Sequence, residues 1–174
     1  MINSVLITGC STGIGLDAAL KLDTMGFNVF ATARKEKDVE ILRELGLKAK
    51  KLDLNDEASI DNAVKWVLNE TGGKLDALFN NGAYGQPGAI EDLPIEALKA
   101  QFDTNFFGWH ILTRKVLKVM RAQGYGRIVQ NSSVLGFVAM PFRGAYNASK
   151  FAIEGYTDTL RLELKNTNIK VSKF

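Results

Sequence analysis

Apolar residues come along this chain in short runs separated by longer amphipathic stretches, and glycines tend to stand where one gives way to the next. The runs predict strands near residues 3–8, 27–32, 48–52, 75–79, 126–130 and 168–172. The stretches between them predict helices near 14–25, 36–45, 57–70, 94–122 and 145–165, with Gly26, Gly46, Gly72-Gly73 and Gly124 as stop signals. Strand and helix alternate, which predicts an α/β chain on a parallel sheet. Ala77-Leu78-Phe79 is apolar throughout, as expected of a strand covered by helices on both faces. The longest irregular stretches, Asn80 to Leu93 and Ser132 to Gly144, follow the fourth and fifth strands. Open parallel sheets bind ligands beyond the carboxyl ends of their strands, so a site belongs in these loops.

Composition narrows the function classes. The 174 residues read as one domain, 1–174, with a single sizeable core and no internal repeat or linker. Acidic and basic residues are interspersed to a net charge of +3, which offers no basic stripe to a nucleic acid. No charged start precedes an apolar stretch and no apolar run reaches about 18 residues, so a soluble, cytoplasmic protein without membrane attachment is expected. Cys10 is the one cysteine, which permits no internal disulfide and fits a reducing compartment. It reads as a small side chain tolerated in a tight loop. With His110 the one histidine, there is no zinc constellation and no metal is expected; His110 itself reads as a partly exposed helix residue.

Two constellations carry chemistry. The apolar run Ser4 to Ile7 leads into Thr8-Gly9-Cys10-Ser11-Thr12-Gly13-Ile14-Gly15 and then into the helix-forming stretch from Leu16. Strand, glycine loop and helix in this order let the backbone approach a diphosphate, whose charge sits on the free N–H groups of the helix start. Far downstream, Tyr146 and Lys150 stand four residues apart, on one face of a predicted helix. An ammonium beside a phenol favours the phenolate, which suits a proton donor for carbonyl or alcohol chemistry.

With both ends in view, the chain resembles the short-chain dehydrogenase/reductase family, in its single-domain branch, from Met1 to about Val171. T-G-x-x-x-G-x-G stands at Thr8 to Gly15. The family's Asn-Asn-Ala-Gly appears with its last two residues exchanged, as Asn80-Asn81-Gly82-Ala83, and an Asn-x-x-Gly stands at Asn105 to Gly108. Asn131-Ser132-Ser133 and the Tyr146/Lys150 pair follow, and Ser133 lies thirteen residues before Tyr146, as the family's active serine does. In look the chain is similar to bacterial aldehyde reductases and hydroxysteroid dehydrogenase-like members. The resemblance implies a Rossmann-type doubly wound parallel sheet of strand order 3-2-1-4-5-6 and an oxidoreductase moving hydride between a nicotinamide and an aldehyde, ketone or secondary alcohol. In that chemistry Tyr146 would donate the proton and Ser133 would hold the carbonyl oxygen. Lys150 would bind the nicotinamide ribose, and Asn105 would bend its helix around a water that relays protons to Lys150. Gly9, Ser11, Thr12, Gly13, Ile14 and Gly15 would cradle the diphosphate, Asp53 and Leu54 would lie near the adenine, and Asn81 and Gly82 would line the cofactor. The Ala/Gly exchange puts the backbone path at Gly82 in question, because glycine tolerates positive φ at a different place.

Cofactor choice is read at the end of the second strand. A carboxylate there would bind the ribose hydroxyls and repel a 2′-phosphate; this chain has Ala33 followed by Arg34, which favours NADP(H) over NAD(H). Phe137, Met140, Phe142, Tyr84 and Pro87 in the loops point to an apolar substrate. Phe102, Phe106, Phe107 and Trp109, like Phe151, Ile153, Tyr156 and Leu160, cover more than one helical face, and in the family the two helices pair with those of a second subunit. A homodimer or homotetramer is therefore expected. After the sixth strand the family continues through a substrate-covering segment and a seventh strand, whereas this sequence ends at Phe174. The truncated pattern leaves an alternative open, a nucleotide-binding module or remnant without efficient turnover. Sugar-nucleotide epimerisation is disfavoured by the glycine spacing and the chain length.

Overall fold

The computed structural model of the chain describes residues 3–174. Its six strands are β1 (Ser4–Ile7), β2 (Asn28–Ala33), β3 (Lys48–Lys51), β4 (Ala77–Asn80), β5 (Gly126–Gln130) and β6 (Ile169–Lys173). Its helices are α1 (Gly13–Thr24), α2 (Glu36–Glu44), α3 (Glu57–Glu70), α4 (Ile95–Phe102), α5 (Gly108–Gln123) and α6 (Gly144–Glu163). The strands form one parallel sheet in the order β3-β2-β1-β4-β5-β6, as the motifs implied. The order reverses between β1 and β4, and the crevice at that reversal is where such sheets bind nucleotides.

Residue alternation decides which side chain meets which layer. On β1 and β2, Val5, Ile7, Val29 and Ala31 point to the side that α1 and α2 cover, with Ala19, Val39 and Leu42. Leu6 and Phe30 point the other way, into a larger core with Ile60, Trp109, Leu112 and Ile153 from α3, α5 and α6. Phe30 meets Trp66 of α3 edge to face, with ring centroids 5.1 Å apart. Both faces of β1 and β2 are thus covered, and Ala77 and Leu78 of β4 are buried as the apolar run predicted, while Phe79 is only partly so. Among the described residues, an apolar groove of about 520 Å³ lies over Phe79 and Val129 on the α1 side.

At the amino ends of the strands, Asp76 fixes β4 against β1. One carboxylate oxygen accepts from the amides of Asn3 (2.8 Å) and Ser4 (2.9 Å), and the other from the Tyr125 hydroxyl (2.7 Å). Burial alone would raise this carboxyl's pKa, but the donors from Ser4, Tyr125 and Asn3 outweigh it and hold the pKa below the usual range.

The predicted helix over 94–122 is interrupted around Asn105, where the resemblance placed a bend. α4 and α5 are joined by a π-turn over Asp103–Phe107. Such an insertion re-aims the residues around it, and the buried residue at its centre is Asn105. α5 then closes on Gly124, whose φ of +85° is the left-handed conformation glycine supplies at a helix end.

Candidate active site

The glycine loop turns out of β1 and into α1. Gly9 has φ +69°, and a Cβ on it would fall 2.5 Å from the Gly82 Cα, so the loops after β1 and β4 meet backbone to backbone. The Thr8 hydroxyl accepts from the amides of Asn81 and Gly82, both at 2.9 Å. The Asn81 side-chain amide in turn donates to the carbonyls of Thr8 (3.0 Å) and Gly9 (3.1 Å). Gly82 lies outside the left-handed region. A Cβ there would lie 3.2 Å from the Gly9 amide nitrogen, so the Ala/Gly exchange relieves crowding between the loops and does not serve to free φ.

Ser11, Thr12, Gly13 and Ile14 are exposed, and the space above Gly13 is open. Thr12 makes no side-chain cap to α1, and the first turn holds no acidic residue. Uncapped amides at a helix start without a carboxylate nearby suit a diphosphate, so the residues present fit a dinucleotide. Cys10 is fully buried; burial pushes its thiol up to about 12, against a backbone hydrogen bond involving Thr32. A thiol so protonated is a packing group.

A cleft of about 240 Å³ continues from this loop and is lined by Ser11, Arg34, Lys35, Asp38, Asp53 and Leu54. Ala33 is buried at the end of β2, and the exposed Arg34 forms no ion pair among the described residues. The cap of α3 is Asp56, which accepts from the amides of Ala58 (2.9 Å) and Ser59 (3.2 Å). Asp53 is thereby left to the cleft, where among the described residues its carboxylate accepts only from the Asn55 amide, at 3.0 Å. Leu54 is held by close approach: a Cβ on Gly108 would fall 2.7 Å from the Leu54 Cβ, so α5 can lie on this segment only where it carries a glycine.

The second cleft, about 630 Å³, brings together Asn81, Tyr84, Asn131, Ser133, Tyr146 and Lys150. Tyr146 lies in the first turn of α6 and Lys150 one turn later. Lys150 is 2% exposed; its Nζ donates to the Asn131 carbonyl at 2.6 Å and lies 5.5 Å from the centre of the Tyr146 ring. Burial pulls its pKa down to about 8, and the charge of Glu154 on the next turn of α6 opposes that shift. Glu154 is itself held by Lys173 at the end of β6, at 2.6 Å. The Ser133 oxygen accepts from the Leu135 amide at 3.1 Å, which leaves its O–H free to donate. Its neighbour Ser132 is buried and faces Gly136.

Asn105 sits beneath the cleft, not in it. From the π-turn its amide oxygen accepts from the Tyr84 amide (3.1 Å), and its nitrogen donates to the Tyr84 carbonyl (2.9 Å) and the Ser149 hydroxyl (3.3 Å). It thus clamps the loop after β4 to α6. Two residues matter here that the sequence reading gave no role in the site. Asn131 holds Lys150 through its carbonyl and Asn81 through its amide, at 2.7 Å. Trp109, read as packing, donates its indole N–H to the Gly82 carbonyl at 2.8 Å, and its ring lies 4.9 Å from the Lys150 Nζ. The only signal for Asn131 was its place beside the serines; for Trp109 there was none. His110 lies elsewhere, exposed on α5, its Nδ1 3.1 Å from the Tyr156 hydroxyl.

Among the described residues no group of three His, Cys, Asp or Glu could hold a metal ion, and no helix is long and apolar enough to cross a membrane. The chain is 45% identical over 172 residues to the uncharacterized oxidoreductase YbbO of Escherichia coli K12, covering 99% of this chain and 64% of that protein. It is 39% identical over 169 residues to an NADPH-dependent 1-acyldihydroxyacetone phosphate reductase of Schizosaccharomyces pombe, covering 97% of this chain and 57% of the relative. The chain thus spans less than two thirds of the length of these relatives. Among solved structures it superimposes on an F189W actinorhodin polyketide ketoreductase with NADPH, with TM-score 0.92 and 34% identity over 98% of this chain and 68% of the other. The short chain dehydrogenase profile matches residues 3–174, the whole of the described fold with its glycine loop and tyrosine–lysine cleft, and the chain belongs to that family.

Proposed function

We propose that residues 1–174 form the dinucleotide-binding and catalytic domain of an NADP(H)-dependent oxidoreductase acting on an aldehyde, ketone or secondary alcohol. One observation carries the reading: Tyr146, Lys150 and Ser133 line a single cleft that adjoins a glycine loop suited to a diphosphate. When bound, the nicotinamide supplies or accepts the hydride. In the direction of reduction, Tyr146 gives its proton to the substrate oxygen as negative charge develops there, and the free Ser133 O–H donates to the same oxygen. The ammonium of Lys150 stabilises the phenolate left behind and binds the ribose hydroxyls. Asn131 and Asn105 hold this set in place, one through Lys150 and the other through the loop at Tyr84. Arg34 takes the 2′-phosphate, supported by the absence of a carboxylate at Ala33 and by NADPH in the names of two similar proteins. The apolar rim around Met140 and Leu135 favours an apolar substrate, as in aldehyde reductases. Self-association through α5, with the π-turn before it, and α6 is supported by the half-exposed Phe107 and Phe151.

Titration with both cofactors and an NADPH-oxidation assay over aldehydes and ketones test this. Arg34→Ala is expected to weaken NADPH by about one to two decades and NADH much less. Tyr146→Phe is expected to lower turnover by a factor of about 100 or more while NADPH binding persists. Equal losses for both cofactors remove Arg34 from the reading. NADPH binding without turnover of any carbonyl compound favours a nucleotide-binding module instead.

A further inference from the structure

Arg143 is a cation at the active-site cleft with no role in the chemistry above. It lies on the residue before α6, one helical turn from Tyr146, and its side chain lines the same cleft. Among the described residues the guanidinium forms no ion pair or hydrogen bond, and no Asp or Glu side chain lines the cleft. The other cation there, Lys150, is buried and held by the Asn131 carbonyl. Arg143 is therefore the charge that a ligand in the outer cleft meets.

The backbone is arranged to put it there. Phe142 has φ +61°, a left-handed conformation that a bulky residue adopts only at a cost, and its side chain is 68% exposed, so no burial of the ring compensates. The strained turn instead aims the Phe142 carbonyl at the Gly88 amide, 3.0 Å away, and Gly88 bridges to Arg143 itself. On the other side the Arg143 carbonyl accepts from the Asn147 amide at 2.8 Å. The backbone of Arg143 is thus held between the loop after β4 and the first turn of α6, with Met140 and Leu135 providing apolar surface in the same cleft.

We propose that Arg143 is an anion anchor. The cleft takes a carbonyl or alcohol substrate that places its reacting carbon at Tyr146, carries a carboxylate or phosphate within reach of Arg143, and lays an apolar remainder against Met140 and Leu135. A planar guanidinium pairs with either anion through two parallel hydrogen bonds. The assignment of the reacting carbon rests on the oxidoreductase reading; the anchor itself does not.

The test uses the whole chain saturated with NADPH and calorimetric titration with octanoate, octyl phosphate and octanol. At least one of the two anions is expected to bind about tenfold or more tighter than octanol, and which one does so decides between carboxylate and phosphate. Arg143→Gln should bring that ratio close to one, and Arg143→Lys should restore part of it. On the unaltered chain, raising the salt concentration should weaken the anion and spare octanol, a check that needs no variant to fold. Equal affinity for anions and octanol, a ratio that survives Arg143→Gln, or a loss that falls on NADPH instead would overturn the anchor. Turnover of 2-oxooctanoate against its methyl ester separates the two readings. Arg143-dependent binding without NADPH oxidation removes the reductase and leaves the anchor, whereas faster reduction of the ester removes the anchor and leaves the reductase.

Discussion

Lys150→Met should make the protein more stable at pH 7 and, on the proposed function, abolish turnover. Lys150 is buried against Asn131, Trp109 and Tyr146, with Glu154 the one carboxylate acting on it, and its pKa falls from 10.5 to about 8. That fall corresponds to about 3 kcal/mol of destabilisation whenever the folded protein holds the charge. Because the folded value lies below the unfolded one, the unfolded chain binds more protons between pH 8 and 10.5. Stability from this group therefore rises with pH across that window, and the full cost is present below it. Methionine has a similar length and no charge; it removes the cost but also the hydrogen bond to the Asn131 carbonyl, worth about 1 kcal/mol. The net gain at pH 7 is about 2 kcal/mol, or roughly 4 to 8 °C in Tm for a chain of this size. At pH 10.5 and above the gain should be gone, and the variant should be the less stable by about 1 kcal/mol. Urea unfolding of both proteins at pH 7, 9 and 10.5 measures this, with other titrating groups cancelling in the difference. A variant less stable at pH 7, or a difference that does not change with pH, would refute the account of Lys150 as a charge kept in place for function at the expense of stability.

Gly9→Ala forces a Cβ to within 2.5 Å of the Gly82 Cα at φ +69°. Backbone strain and displacement together should cost about 2 to 5 kcal/mol and weaken NADPH binding; denaturant unfolding and cofactor titration check both, and a neutral substitution would mean the loops after β1 and β4 do not touch. Cys10, buried with its thiol pushed up to about 12, should resist iodoacetamide at pH 8 in the folded protein and react once the protein is unfolded in urea. Labelling of the native protein at the rate of a free thiol would show the loop to be open.

The sequence determined the order of strands and helices, the glycine loop and the tyrosine–lysine pair, and resemblance proposed Ser133 over Ser132 by its distance from Tyr146. Each of these rests on near neighbours in the chain, or on a motif that keeps its spacing, and such information survives without coordinates. The tertiary structure decided what depends on residues far apart in sequence. Periodicity over 94–122 gave a single helix because a π-turn adds one residue without changing which residues are apolar. Only the packing of Asn105 against Tyr84 and Ser149 gives that turn its purpose. Asp53 is left to the cofactor cleft because Asp56, three residues on, takes the amides of α3. The amide of Asn131 reaches Asn81 across 50 positions, and its carbonyl meets Lys150 only because the fold brings the end of β5 beside α6. Arg143 belongs to none of the motifs along the chain, and it became a candidate anchor once the fold set it beside Tyr146 in a cleft lined by no Asp or Glu side chain. Burial is likewise a property of the assembled core: it pulls the pKa of an ordinary ammonium at position 150 down to about 8, which no pattern along the chain expresses.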